Sequence, residues 1–203
     1  YKFKLHKTTS YRGENMRILK QSFLITVIFL ILCGFIYPVI IRGIAVLFFK
    51  DKAEGSLIVH NGEIVGSRLI GQEFTSQEFF HGRVSAVNYS MGKDKNISPK
   101  SGGSNLSVSN PALIERLQND LEKFLKENPA VKREEVPAEL LTASGSGLDP
   151  HISVESAVIQ ADRIAKANNV PKDEILKLIN NSKKGDLINV LELNLNLLKM
   201  KQK

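Results

Sequence analysis

The stretch FLITVIFLILCGFIYPVII, residues 23–41, decides the architecture of this chain, because it runs for nineteen residues without a charged side chain. A helix of that length spans roughly 28 Å, close to the ~30 Å hydrocarbon core of a bilayer. After the single charge of Arg42, the segment GIAVLFF extends the apolar run to residue 49. Arg42 can extend its guanidinium toward the headgroups while its stem stays in the apolar layer. The sequence therefore predicts one transmembrane helix over residues 22–49.

Two other interpretations of this apolar run stay open. A cleaved signal peptide is one, although its apolar core is usually only about 7–15 residues long and ends at small residues. A buried helix of a soluble protein is the other. The length of the run, and the charges of Arg42, Lys50 and Lys52 after it, favour an uncleaved anchor. Pro38 is compatible with this interpretation, because neighbouring groups can satisfy the carbonyl that a kink frees in a membrane helix.

The excess positive charge is confined to the membrane end of the chain. Residues 1–52 hold nine Lys/Arg and two Asp/Glu, which accounts for the whole net charge of +7. Residues 53–203 hold nineteen of each sign. A nucleic-acid-binding domain needs a basic surface for the phosphates. The composition therefore excludes nucleic acid as a partner, despite the sequence pI of about 9.4.

The same charge pattern predicts the orientation in the membrane. Residues 1–21 form a basic segment, and the positive-inside rule keeps such a segment cytoplasmic. The soluble domain, residues 53–203, is then expected outside the cytoplasm. Met16 is a plausible alternative start; if residues 1–15 are extra to the native chain, fewer basic residues precede the span and the rule decides less.

Cysteine and histidine usage gives no sign of a metal or redox site. Cys33 is the only cysteine and falls within the predicted span, so no intramolecular disulfide can form. The four histidines are scattered without ligand spacing: His6, His60, His81 and His151. We expect no bound metal.

The soluble part mixes strand and helix signals. Asn61-Gly62, between two apolar β-branched runs, predicts a β-hairpin over residues 56–70. Residues 73–103 combine aromatic residues with Gly, Ser and Asn, and predict an ordered loop region. Asn110-Pro111 predicts the start of a helix, with Asn110 as N-cap and Pro111 at its first position.

The C-terminal part predicts two further helices and a strand. Ser153 is expected to cap a helix whose apolar stripe continues to Ala165, and Pro171 to start another. Leu191, Leu193, Leu195 and Leu197 alternate with polar residues, which predicts a half-buried strand. The predicted fold class is therefore α+β, with one N-terminal transmembrane helix followed by a single mixed α/β soluble domain.

A cluster of serines near an acid and a histidine suggests one catalytic alternative, a membrane-tethered serine hydrolase using Ser146 and His151. A triad usually draws its members from separated elements, and the G-x-S-x-G elbow is absent here. A polar turn before the Ser153 cap is the simpler interpretation. The glycine-rich SGGSN at residues 101–105 lacks the GK[ST] ending of a phosphate loop.

Four longer segments, in order after one apolar span, resemble the C subunit of the Kdp potassium-transporting ATPase. They are LIGQEFTSQEFFHGRVSA at 69–86, SGGSNLSVSNPALIERL at 101–117, VPAELLTASGSGLDPHIS at 136–153 and NVLELNL at 189–195. The likeness extends from about Met16 to Leu197.

The resemblance implies a small single-pass subunit of a complex in the cell membrane. One partner is then a channel-like, potassium-binding subunit, and the other is a P-type ATPase that hydrolyses ATP through an aspartyl-phosphate. The resemblance also implies a catalytic chaperone that raises the ATP affinity of the hydrolysing subunit. Gln160 and Arg163, which match a Q-x-x-R segment of the family, are the candidate nucleotide-binding pair. No catalytic site is expected in this chain itself.

The remaining candidate residues form loops expected to face the partner subunits: His81, Gly82, Arg83, Ser101, Gly102, Gly103, Ser104, Asn105, Ser144, Gly145, Ser146, Asp149 and His151. A direct nucleotide role conflicts with the predicted orientation, because ATP is cytoplasmic and the domain is expected outside. An external domain would instead cap the potassium entrance of the channel-like subunit and stabilise the complex. The lack of a phosphate loop and of net positive charge in the soluble part favours this structural role.

Overall fold

A computed structural model describes residues 8–91 and 99–201 of the chain. They belong to two compact units, residues 1–54 and residues 55–203. The predicted basic segment lies partly outside the described residues, because residues 1–7 are not among them.

The first unit is helical. Its elements are α1 (Thr8–Ile31), a π-helical turn (Leu32–Ile36), α2 (Tyr37–Phe48) and the short α3 (Lys50–Ala53). The segment Glu14–Phe48 is long and apolar enough to cross a membrane, and its most apolar part is not buried against any of the described residues. A long apolar helix with no apolar partner of its own fits a single-pass membrane protein.

The π-helical turn is explained by Pro38, two residues after its end. Proline has no N–H to donate, and its ring crowds the carbonyl four residues earlier, which belongs to Gly34. The chain widens there, so that the N–H of Tyr37 donates to the carbonyl of Leu32, five residues back. The irregularity that Pro38 predicts is therefore accommodated inside a helix that continues to Phe48.

The second unit begins with the predicted hairpin. Strand β1 (Leu57–His60) pairs antiparallel with β2 (Glu63–Ser67). Asn61 and Gly62 form the turn with φ of 51° and 84°, the positive values that a two-residue hairpin requires. The hairpin prediction is confirmed.

Helix α4 (Pro111–Glu127) starts where the sequence predicts. The side chain of Asn110 accepts a hydrogen bond from the backbone N–H of Ala112, and Pro111 occupies the first turn. The predicted helix after Ser153 also has its cap, because the Ser153 hydroxyl accepts from the N–H of Ser156. That helix is divided, however, into α5 (Val154–Val158) and α6 (Ala161–Asn168), with Gln160 at the junction.

Helix α7 (Lys172–Ser182) follows Pro171 as predicted, and a second two-stranded antiparallel sheet joins β3 (His151–Ser153) to β4 (Leu187–Asn189). The main core is formed by apolar side chains of the loops, β3, β4 and α5 to α8, with these members fully buried: Phe80, Ile152, Ala157, Ala161, Ile164, Ile175, Leu193 and Leu197.

The last element contradicts the sequence prediction. Residues Val190–Lys201 form helix α8, so the strand predicted from the alternating leucines is wrong. Leu191 and Leu195 pack on the hairpin in a second, smaller cluster, whereas Leu193 and Leu197 pack in the main core. Each pair has the spacing of four residues that one face of a helix requires. Two buried faces on one helix together produce the alternation that resembles a strand.

The predicted loop region, residues 73–103, contains no strand pair or α-helix in its described part; residues 92–98 lie outside the described residues. It is packed rather than free. Phe80 has no exposed surface and Tyr89 is buried. The expectation that this region is ordered on the domain is confirmed for the residues that the structure describes.

Candidate functional site

Three of the predicted loop residues, His81, Gly82 and Arg83, line a cleft between the segment 81–85 and helix α4, and the other predicted loop residues lie outside its lining. We call it the His81 cleft; its volume is about 220 Å³. Its charged lining mixes both signs, with these members: Glu73, Arg83, Asp120, Lys123 and Glu127. Such a lining suits specific polar contacts better than attraction of a polyanion.

Gln160 is buried beneath the cleft and bonds the backbone of His81, one of the lining residues. It has no exposed surface, and its side-chain amide makes four hydrogen bonds. The oxygen Oε1 accepts from the N–H of His81 at 2.9 Å and from Arg163 at 2.8 Å. The nitrogen Nε2 donates to the carbonyls of His81 at 3.2 Å and Ser156 at 2.9 Å. An amide of this kind has two donors and two acceptor positions, so its capacity is used within the chain.

Arg163 fixes the residues just before His81. Its guanidinium donates to the carbonyls of Gln77 and Phe79, and its Nε donates to Asn128 Oδ1 at 3.1 Å. Arg163 is only 6% exposed. Burial lowers the pKa of Arg163 to about 10, partly opposed by the charge of Glu127, so the side chain stays charged at neutral pH. The predicted nucleotide-binding pair is thus brought together, as a structural clamp on residues 77–81.

His81 is neutral in this environment. Burial, together with the positive charge of Arg163, lowers the pKa of His81 below 6.5. Its Nε2 lies 3.0 Å from the carbonyl of Ser76, an acceptor, so the proton of the neutral ring belongs on Nε2. The Nδ1 lies 3.5 Å from a carboxylate oxygen of Glu127. That contact alone would favour a charged ring, but burial and Arg163 outweigh it, so we do not regard it as an ion pair at neutral pH.

Arg83 connects two of the predicted loops. It donates to Asp149 at 3.0 Å, and the other oxygen of Asp149 accepts from the N–H of His151 at 3.0 Å. The hydroxyl of Tyr89 donates to the carbonyl of Arg83 at 2.5 Å. Burial and the charge of Asp149 raise the pKa of Tyr89 to about 12, which keeps this hydroxyl protonated. Gly82 is required here, since a Cβ at that position would come within 2.8 Å of the Tyr89 oxygen.

The serine- and glycine-rich loops also meet. The N–H of Gly102 donates to the carbonyl of Ser146 at 2.8 Å, and the Ser101 hydroxyl donates to the same carbonyl at 3.0 Å. Gly103 lies beside the backbone of Gly145. The Gly102 amide that a phosphate cradle would use is therefore already engaged. Ser104 and Asn105 are exposed.

The geometry gives the serine-hydrolase alternative no support. The Ser146 hydroxyl accepts from the N–H of Leu148 at 3.1 Å, as in an ordinary turn, and Ser144 is buried. His151 faces Asp149 at 3.6 Å, but within the described residues no hydrogen bond joins its ring to either serine. The described part of the chain also holds no group of three His, Cys, Asp or Glu side chains that could bind a metal ion.

Two important polar residues were missed by the sequence analysis. Asn194, on α8, is 2% exposed and bonds both the N–H and the carbonyl of Phe80, at 2.8 Å and 3.0 Å. Asn128, after α4, is 3% exposed and accepts from Arg163. The sequence does carry a signal for Asn194, because it lies in a leucine-rich run that is expected to be buried. A buried amide needs hydrogen-bond partners within the chain. Nothing in the local sequence indicates Asn128.

An apolar N-terminal helix followed by one α+β domain fits the class of single-pass membrane proteins. Comparison with known proteins gives the family. Residues 19–199 match the family described as KdpC: K+-transporting ATPase, c chain. This chain belongs to the KdpC family.

Relatives align along nearly their whole length. The chain is 45% identical to the potassium-transporting ATPase KdpC subunit of Clostridioides difficile (strain 630), covering 91% of this chain and 98% of that protein. It is 43% identical to the protein of that name from Clostridium kluyveri, covering 89% of this chain and 93% of that one. The Bacillus mycoides protein is 44% identical, with coverage of 93% and 98%.

Proposed function

We propose that this subunit works without chemistry of its own, by binding the channel-like and ATP-hydrolysing subunits and stabilising their assembly in the cell membrane. The observation that supports this most is the state of the predicted site residues. Gln160, Arg163 and Asp149 use their polar atoms to tie segments of this chain together. These internal bonds fix the position of the loops around the His81 cleft. A loop surface of fixed shape is suited to recognition of a protein.

We further propose that any increase in ATP affinity is transmitted through these protein contacts. Gln160 has no exposed surface and no unused hydrogen-bonding position, so contact with a nucleotide would require breaking contacts within the chain. ATP would then be bound by the hydrolysing subunit alone. Gln160 and Arg163 would act on it only by holding residues 77–81 in place.

A bulky substitution at the edge of the cleft tests the assembly role. Thr75 lines the cleft and is exposed, so Thr75→Trp fills the surface without entering the core. We expect this variant to co-purify poorly with the two larger subunits and to support less potassium uptake by cells at low external potassium. Val108→Trp is the matched control, because Val108 is 90% exposed and does not line the cleft. Equal co-purification and uptake in the two variants would contradict the proposal.

The nucleotide question has a separate test. We expect the purified full chain not to be labelled by a photoreactive azido-ATP, whereas the hydrolysing subunit of the same complex is labelled. Direct binding would be shown instead if this chain were labelled and excess ATP prevented the labelling. Gln160→Leu would then have to abolish the labelling, whereas Gln118→Leu would not.

A further inference from the structure

We propose that the outer face of the β1–β2 hairpin lies in the interfacial layer of the bilayer and is covered by lipid. The hairpin outer face consists of Leu57, Val59, Ile64 and Ser67, of which Ser67 lies opposite Leu57. Its three apolar side chains, Leu57, Val59 and Ile64, are 40%, 61% and 65% exposed. Val59 and Ile64 are directly opposite each other in the strand register. Leu57 lies two residues before Val59, and alternate residues of a strand share a face.

Both faces of the hairpin carry apolar side chains beside polar ones, which is unusual for a hairpin facing water. Its inner face places Ile58 and Val65 in the cluster with Leu191 and Leu195. An antiparallel sheet with one buried face normally carries polar side chains on the other.

The size of the face favours lipid over a protein partner. Three partly exposed side chains offer a few hundred Å² at most, whereas a specific protein interface buries about 800 Å² on each partner. A patch this small has little affinity for a protein by itself. Insertion into an interfacial layer needs no such area when the chain is already held at the membrane.

The position of the hairpin in the chain supplies that attachment. Eight residues, 49–56, separate the end of α2 from the start of β1, and four of them form α3. Their contour length is roughly 20 Å at most, from about 1.5 Å per helical and 3.4 Å per extended residue. Lys50 and Lys52 in this connection are exposed, but Asp51 and Glu54 balance their charge, so the short length of the connection, and not its charge, supplies the attachment. The proposal rests on α1 and α2 spanning the membrane and is independent of the proposed contacts with other subunits.

The absence of tryptophan from the sequence allows a direct test. Val59→Trp and Ile64→Trp each add one fluorophore at a strand position that tolerates aromatic residues. The full-length variants are reconstituted alone in vesicles of phosphatidylcholine and phosphatidylglycerol, with or without bromine atoms on the phosphatidylcholine acyl chains. Val108→Trp is the control, and circular dichroism checks that all three variants are folded.

We expect the emission of both hairpin variants to be blue-shifted and largely quenched by the brominated lipid, while that of Val108→Trp is quenched only by aqueous iodide. Quenching of the hairpin variants by iodide and not by brominated lipid would overturn the proposal. Protection from both quenchers only after the two larger subunits are added would also overturn it, and would show that a protein covers this face.

Discussion

Gln160 illustrates, at the scale of one residue, how a neutral side chain can organise a surface. Its amide joins α5 and α6 to the backbone of His81, which is 79 residues away in sequence. The Gln160 amide takes the place of the water that the peptide groups of His81 would otherwise need. The loop can therefore pack closely against the helices. The same side chain orients Arg163, which clamps the preceding loop residues.

Replacing Gln160 by leucine removes those bonds and leaves their buried partners unsatisfied. We expect Gln160→Leu to lower the free energy of unfolding by about 3 kcal/mol, since each unsatisfied buried polar group costs about 1–3 kcal/mol. Urea unfolding of the full chain in detergent, followed by circular dichroism, measures the change. Gln118→Leu, on an exposed position of α4, should change stability by less than about 0.5 kcal/mol. Similar midpoints for both variants would show that the clamp contributes nothing.

His81 makes the stability of the domain depend on pH in a defined direction. Burial and Arg163 lower its pKa in the folded chain, whereas the unfolded side chain keeps a value near 6.5. The unfolded state therefore binds the proton more readily. The contribution of His81 to the free energy of unfolding is therefore at its full value above pH 6.5. It is lost as the pH falls from 6.5 toward the lowered pKa of His81 in the folded chain.

The corresponding experiment compares urea unfolding at pH 7.5 and pH 5.5 in the parent chain and in His81→Gln. We expect the parent to lose more stability on acidification than the variant does. Gln118→Leu, which removes no titratable group, serves as the control and should keep the pH dependence of the parent. An unchanged pH dependence in His81→Gln would assign the effect to other groups.

At the scale of elements, helix α8 is the one that unites the second unit. One of its faces completes the main core and the other covers the inner side of the hairpin. Asn194 adds a polar contact to Phe80 between these apolar faces. A helix buried on two sides has little freedom to shift, so the hairpin and the loop region are both positioned by it.

Truncation of a leucine on this helix tests its importance. Leu193 has no exposed surface, and we expect Leu193→Ala to lower the free energy of unfolding by about 2–5 kcal/mol through lost burial and the cavity left behind. Leu187→Ala is the matched control, because Leu187 in β4 is 49% exposed. Its cost should be below about 1 kcal/mol. Equal losses at the two positions would contradict the central role of α8.

At the scale of the whole molecule, the charge is divided between an N-terminal part with a net charge of +7 and a balanced domain. The basic residues before the span predict a cytoplasmic N-terminus, and with it a position of residues 53–203 outside the cytoplasm.

Cysteine labelling decides this orientation. Cys33→Ser removes the only native thiol, and Ser104→Cys adds one on an exposed loop of the domain. We expect a membrane-impermeant maleimide to label Ser104→Cys in intact cells. Ser10→Cys, placed before the apolar segment, should be labelled only after lysis. The reverse pattern would put the domain in the cytoplasm and bring direct contact with ATP back into consideration.

Features set by neighbouring residues were predicted well from the sequence. The apolar helix, the turn at Asn61-Gly62 and the caps at Asn110 and Ser153 all depend on side chains within a few positions of the backbone they affect. The pair of Gln160 and Arg163 was identified only through the family resemblance.

The sequence by itself therefore determined an apolar span, a balanced α+β domain and the starts of most of its elements. Only the tertiary structure decided that α8 is a helix, because its two apolar faces are satisfied by clusters distant in sequence. It also decided that Gln160 bonds His81, which is 79 positions earlier in the chain, and that Asn194 bonds Phe80, which is 114 positions earlier. Alternating leucines fit a strand or a doubly buried helix equally well, and a polar side chain does not reveal its partner. In both cases the choice is made by long-range packing, which local sequence does not encode.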